Sequence, residues 1–110
     1  MTAFSSNSAS HTLTILRGTV HLPITDIVRL EGSGNYTHFV LADGRKILTS
    51  KSIGFYESLL PDTFVRVNKQ HLLNHHYIRA FDRYYVEMTD GFLAQVSRRK
   101  RTMVKVAVLS

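Results

Sequence analysis

The dipeptide Asp-Gly occurs twice in this chain, each time between two segments rich in apolar residues, and no other feature restricts the fold as strongly. Asp43-Gly44 joins YTHFVLA to RKILTS, and Asp90-Gly91 joins YYVEMT to FLAQVS. Asp-Gly in this setting is typical of a tight β-hairpin in which both central residues adopt positive φ. The sequence therefore predicts two antiparallel hairpins, with positive φ at the aspartate and at the glycine of each turn.

The rest of the pattern predicts further strands. Residues 12–16 and 19–24 are apolar segments separated by Arg17-Gly18, which indicates another hairpin, and residues 27–31 form one more strand candidate. Residues 36–42 alternate, so that Thr37, Phe39 and Leu41 would share one face of their strand. The predicted fold class is mainly β.

One or two short helices are expected beside the strands. A helix can begin after Ser50 or Ser52, either of which could cap it, and Pro61 would end it. Residues 99–109 fit both a helix and a strand, and we favour a short helix. No repeat or linker divides the chain, so residues 12–110 are expected to form one domain behind a flexible tail, residues 1–11.

Charge indicates the kind of partner. The net charge is +6, and residues 61–110 carry nine Lys and Arg against four Asp and Glu, so that +5 lies in this half. Such asymmetry favours a polyanion: DNA, RNA or an anionic membrane surface. The absence of cysteine excludes disulfides and thiolate metal sites. Because no segment has the pattern of a signal peptide or a membrane span, we expect a cytoplasmic protein without membrane insertion.

Three polar clusters stand where strands are predicted to end: residues 32–38, 66–74 and 95–101. Binding residues in β proteins are commonly found at such positions. In the third cluster Ser97 is followed by four cations, which oppose the dipole of any helix that begins there. A bound phosphate would make this arrangement favourable, and a solvated basic turn is the alternative.

The second cluster could read bases, but it does not resemble a metal or catalytic site. Asn68 and Gln70 can bond an adenine edge and Lys69 can reach guanine acceptors, although a polar turn explains the same residues. His71 and His75 would share one face of a helix, yet a zinc site needs a third ligand. We expect no metal, no cofactor and no enzymatic activity.

Several fragments follow one another in a familiar order. They are Ile24-x-x-Ile27-x-x-Leu30-Glu31, Gly34-Asn35-Tyr36-Thr37, Leu41-x-Asp43-Gly44, Leu59-Leu60-Pro61-x-x-Phe64-x-Arg66-Val67, Asn74-x-x-Tyr77-Ile78, and Asp90-Gly91 before Val96-Ser97-Arg98-Arg99. From about residue 13 to residue 108 the chain resembles the LytTR-type DNA-binding domain of bacterial transcription regulators. The resemblance implies an elongated arrangement of small antiparallel sheets whose loops enter the major groove of DNA.

The resemblance also implies which residues contact DNA. Base contacts fall to Tyr36, Thr37, Lys69 and Arg98. Beside these, we expect backbone or supporting roles for Asn35, His38, Lys51, Asn68, Gln70, Ser97, Arg99, Lys100 and Arg101. Lys69 stands where the family usually has arginine, and lysine lacks the two-pronged grip on guanine.

The expected function is sequence-specific binding of double-stranded DNA by a stand-alone regulator. Two copies are expected to bind repeated half-sites. The sequence does not identify a signalling or inhibitor protein that would act on them. One alternative is an RNA-binding β module that stacks bases on Tyr36, Tyr84 and Tyr85. Another is an interaction module that inhibits a full-length regulator.

Overall fold

The computed structural model describes residues 12–109, which form ten strands and two short helices; the predicted tail, residues 1–11, lies outside the described residues. The strands are β1 (Thr12–Ile15), β2 (Val20–Pro23), β3 (Ile27–Ser33), β4 (Tyr36–Leu41), β5 (Lys46–Thr49), β6 (Phe64–Asn68), β7 (His71–Asn74), β8 (Ile78–Phe81), β9 (Tyr85–Met88) and β10 (Leu93–Gln95). The helices are α1 (Ile53–Glu57) and α2 (Arg101–Leu109), and the 3-10 turns are Ile24–Asp26, His75–Tyr77 and Arg98–Lys100.

The strands form three antiparallel sheets. β1 pairs with β2, the central sheet has the order β5-β4-β3-β7-β6, and the third sheet has the order β10-β9-β8. The described residues extend over 39 × 35 × 24 Å. The predicted class, mainly β with small antiparallel sheets and one or two short helices, is confirmed.

The central sheet is buried on both faces. Leu30, Phe39 and Leu72 pack on one face with the β1–β2 hairpin and α1. Val67 and Leu73 pack on the other face with the third sheet and α2. Because adjacent residues such as Leu72 and Leu73 point to opposite faces, the two consecutive leucines of β7 are explained by a strand buried on both sides.

The Asp-Gly hairpins are present, but their predicted turn type is wrong. Gly44 and Gly91 have φ of +91° and +90°, whereas the aspartates before them do not have positive φ. The N–H of Gly44 donates to the carbonyl of Leu41 at 2.9 Å. The turn is therefore a type I turn closed by glycine. The aspartate is explained by its carboxylate, which accepts the N–H two residues ahead, as Asp43 does from Arg45 at 3.0 Å.

The β1–β2 turn is longer than the two residues predicted. Leu16 and Arg17 both adopt positive φ, of 52° and 57°, ahead of Gly18. The N–H and hydroxyl of Thr19 both donate to the carbonyl of Leu16, at 3.1 and 2.6 Å, and these bonds hold the turn. Ile24 does not extend β2, because a 3-10 turn begins there.

The helices begin and end close to the expected residues. The side chain of Ser52 caps α1 by accepting the N–H of Phe55, and the helix ends at Glu57, before Pro61. After Ser97 a 3-10 turn leads into α2, which confirms the helix favoured for the C-terminal segment. The Ser97 hydroxyl makes no capping bond, so the cap that its sequence position suggests is absent.

Two glycines give a matched test of backbone strain, because a Cβ added at either would meet no atom within 4 Å. Gly44→Ala should lower the free energy of unfolding by about 1–2 kcal/mol, since alanine disfavours φ of +91°. Gly54→Ala, inside α1, should raise it by about 0.5–1 kcal/mol. Urea denaturation of both variants measures the difference, and equal effects would contradict the turn geometry.

Candidate nucleic-acid interface

The three polar clusters predicted from the sequence lie side by side. We name them loop 1 (residues 32–38), loop 2 (residues 66–74) and loop 3 (residues 95–101). The N–H of Gly32 donates to the carbonyl of Gln70 at 2.7 Å, which joins loop 1 to loop 2. The N–H of Ser97 donates to the carbonyl of Val67 at 2.9 Å, which joins loop 2 to loop 3. All three loops border one open cleft of about 860 Å³.

Loop 1 is a tight hairpin turn. Gly34 supplies a φ of +59° at the first of two turn residues, and Ser33 pairs with Tyr36 across the turn. Gly32 packs against α1, where a Cβ would stand 3.1 Å from the side chain of Ile53. Tyr36, at the tip, is 55% exposed, and Asn35 beside it is also exposed.

Thr37 does not fit the base contact expected of it. Its side chain is completely buried, and its hydroxyl donates to the carbonyl of Lys51 at 2.8 Å. The residue fixes the chain that leads into α1 and presents nothing to solvent. His38 is half-buried, whereas Lys51 is exposed and places its Nζ 5.2 Å from the ring of Phe55.

Loop 2 contains a two-residue turn, Lys69-Gln70, which is held by the side chain of Asn68. The Nδ2 of Asn68 donates to the carbonyl of Gln95 at 2.6 Å, and its Oδ1 accepts the N–H of Gln70 at 2.8 Å. Both side-chain atoms of Asn68 therefore make hydrogen bonds within the protein, and Asn68 supports the loop. Lys69 and Gln70 are exposed.

Arg66 also shapes loop 2. Its Nε donates to the carbonyl of Asn68 at 2.9 Å, and its guanidinium donates to the carbonyl of Lys69 at 2.8 Å and to Glu57 at 2.5 Å. Arg66 belongs to one of the fragments that resemble the family, but no role was predicted for it. The signal was its spacing, since Arg66 stands two and three residues before the carbonyl groups that it binds at the start of a tight turn.

Loop 3 divides its cations between two sides. Arg99 and Lys100 border a groove with Lys69 of loop 2. Arg98 borders a different groove, together with Arg101 of α2. The loop is fixed at its base, where the N–H of Val96 donates to the carbonyl of Tyr84 at 2.8 Å.

A buried arginine connects the central sheet to the hairpin that carries loop 3. The Nε of Arg29 donates to Asp90 at 3.1 Å, and the guanidinium also pairs with Glu31 and lies 3.9 Å from the ring centroid of Phe92. Burial alone would raise the pKa of Glu31, but the bond and the charge of Arg29 outweigh it and lower that pKa below its ordinary value. Glu31 therefore stays ionised and holds the guanidinium.

His71, in loop 2, gives stability a pH dependence. Burial lowers the pKa of His71 below 6.5, Glu31 opposes that effect, and the charge of Arg29 adds to it. The unfolded chain then takes up this proton at a higher pH than the folded chain, so stability must fall as the pH drops below about 6.5. Denaturation of His71→Gln should show a smaller loss between pH 7.5 and pH 5.5. An identical loss in both proteins would contradict this assignment.

The histidines within residues 12–109 do not assemble a metal site. His71 lies in β7 and His75 in a 3-10 turn, so the shared helix face considered for them does not exist. Within residues 12–109, no three His, Asp or Glu side chains are grouped so that they could hold a metal ion. None of the helices in that part of the chain has the length and apolar character needed to cross a bilayer.

Comparisons with known proteins identify the family. The sequence model of the LytTr DNA-binding domain family matches residues 17–108. A solved LytTr DNA-binding domain from Bacillus cereus superimposes with a TM-score of 0.71 over 88% of this chain and 94% of that one, at 21% sequence identity, and so shares the fold. A search of the curated proteins found no significant match. The family match covers well over half of the chain and includes all three loops, so the chain belongs to the LytTR family of DNA-binding domains.

Proposed function

We propose that loops 1, 2 and 3 form one continuous surface that reads double-stranded DNA in a sequence-specific manner. The observation that supports this most directly is the pair of backbone bonds, Gly32 to Gln70 and Ser97 to Val67, that fixes the three loops against one another. A surface held in this way can follow a duplex without first paying the entropy of ordering three separate loops.

The exposed side chains divide into two kinds of contact. Tyr36, Lys69 and Arg98 project from the three loops and are proposed to meet base edges. Arg98, with its fork of donors, would grip the O6 and N7 of guanine. Phosphate contacts that set the register are proposed for Asn35, Lys51, Gln70 and Arg99, which are exposed, and for Lys100, which is partly buried. Supporting roles, which fix the conformation of the loops, are proposed for Thr37, Asn68 and Arg66.

The biological setting follows from the same surface. One domain of this size offers a modest contact area, so we propose that two copies bind repeated half-sites as a transcription regulator in the bacterial cytoplasm. An RNA-binding module is less well supported, because the guanidinium of Arg101 lies 4.8 Å from the ring centroid of Tyr84 and covers one of the two faces of this proposed stacking residue.

Selection of bound duplexes from a random pool tests the proposal. A shared half-site should emerge after a few rounds, and duplexes that carry it should resist competition by single-stranded RNA. A pool that stays random, or RNA that displaces the duplex at equal concentration, would contradict sequence-specific DNA binding. Half-sites that recur at a fixed spacing would support the two-copy arrangement, and isolated half-sites would contradict it.

A further inference from the structure

A second groove lies on the other side of loop 3, between the β8–β9 turn and α2. Four cationic side chains border it: Arg83 from the turn, Arg98 from loop 3, and Arg101 and Lys105 from α2. The groove is open and holds about 710 Å³. None of the sequence predictions included Arg83 or Lys105.

The hydrogen-bond donors of Arg101 in this groove are only partly satisfied. The Nε of Arg101 is buried and has no hydrogen-bond partner, while its guanidinium stacks over the ring of Tyr84. Arg83 approaches the same ring, with its Cζ 6.0 Å from the centroid. A buried donor without a partner carries an energetic cost, which an anion in the groove could relieve.

One acid also borders the groove, and its carboxylate is partly occupied by backbone donors. The Oδ1 of Asp82 accepts the N–H of Tyr84 at 2.7 Å and the N–H of Tyr85 at 2.8 Å. These two backbone bonds lower the pKa of Asp82, so it is ionised at neutral pH. Four cations against one carboxylate leave the groove with a net positive charge.

We propose that this groove binds a phosphate group of DNA. Of the two strands that border the major groove, one would contact Lys100 and the other would supply the phosphate to this groove. The inference rests on the proposed function. A side chain that enters the major groove has a sugar-phosphate backbone on either side of it. Loop 3 matches this arrangement, because Arg99 and Lys100 border one groove, whereas Arg98 borders the other groove together with Arg83 and Lys105.

The salt dependence of DNA binding tests the site. Arg83→Ala and Lys105→Ala each remove one exposed cation. Each should reduce the magnitude of the negative slope of log K against log salt by about 0.9, the value expected for one phosphate contact. Arg45→Ala is the matched control, because it changes the net charge equally but lies at the Asp-Gly tip of β4–β5, at the end of β4 away from loop 1. Its slope should equal that of the parent protein.

A second measurement separates the possible sources of the phosphate. Inorganic phosphate is titrated into the free protein while the backbone amide signals of Tyr84 and Thr102 are followed by NMR. Lower slopes in both variants support the DNA phosphate. Unchanged slopes with saturable phosphate binding that Arg83→Ala abolishes would overturn the DNA source and retain the anion site.

Unchanged slopes without phosphate binding would overturn the site altogether. If the parent protein still binds a selected duplex in that case, the proposed function stands. Parent protein that binds no duplex would instead contradict the proposed function, so the two failures are distinguishable.

Discussion

Arg29→Ala is expected to lower the free energy of unfolding by about 3 kcal/mol. Removing one partner of a buried ion pair typically costs about 3–5 kcal/mol, because the charges left behind lose their compensation. We expect the lower end of that range, because Glu31 and Asp90 keep side-chain exposures of 24% and 31% and water can solvate them in part. The variant also lacks the packing of the guanidinium against the Phe92 ring. Urea denaturation followed by circular dichroism measures the change.

Arg45→Ala serves as the control for this stability experiment. Arg45 pairs with Asp43 at 2.8 Å, but their side chains are 67% and 56% exposed. Exposed pairs contribute little, so no measurable change is expected. Equal effects of the two substitutions would show that burial of Arg29 does not determine its contribution. They would also contradict its role in joining the central sheet to the hairpin that carries loop 3.

Arg98→Ala should reduce the preference for the selected half-site by about five- to 150-fold, measured as the ratio of affinities for matched and mismatched duplexes. That range corresponds to the roughly 1–3 kcal/mol of discrimination provided by a bidentate contact with a base. The loss should be greatest at one base pair of the half-site, and a set of duplexes mutated one position at a time would locate it.

Lys100→Ala is the comparison that separates base reading from charge. Lys100 borders the groove with Lys69 and Arg99, where a phosphate contact is proposed. Its removal should weaken binding to all duplexes by the same factor and reduce the magnitude of the slope of log K against log salt by about 0.9. If Arg98→Ala also weakened every duplex equally, Arg98 would be a phosphate ligand and loop 3 would not read sequence.

The sequence predicted the strands of the Asp-Gly hairpins because these depend on local patterns, but it did not predict β7 or β8. Two Asp-Gly pairs and the alternation around Phe39 were sufficient to place the hairpins. The predicted turn type was wrong. Each aspartate is favoured at its position because its carboxylate accepts a backbone N–H group, and this interaction does not require positive φ at the aspartate. That interaction competes with the residue preferences on which the prediction relied.

The site was predicted less completely. The adjacency of the loops depends on bonds such as Asn68 to Gln95, which joins residues 27 positions apart and leaves no local pattern. The burial of Thr37 could have been found, because the alternation already placed it on the same face as Phe39 and Leu41. The two-sided distribution of cations in loop 3 follows from the 3-10 turn, in which successive side chains point in different directions.

NMR titration of the protein with a selected duplex tests the central claim most directly. If the three loops form one DNA-reading surface, the backbone amide signals of Asn35, Lys69 and Arg99 should shift together at the same duplex concentration. Signals from the β1–β2 turn, such as Arg17, should stay unchanged. Shifts confined to a single loop, or shifts at the β1–β2 turn in place of the loops, would contradict a shared DNA-reading surface.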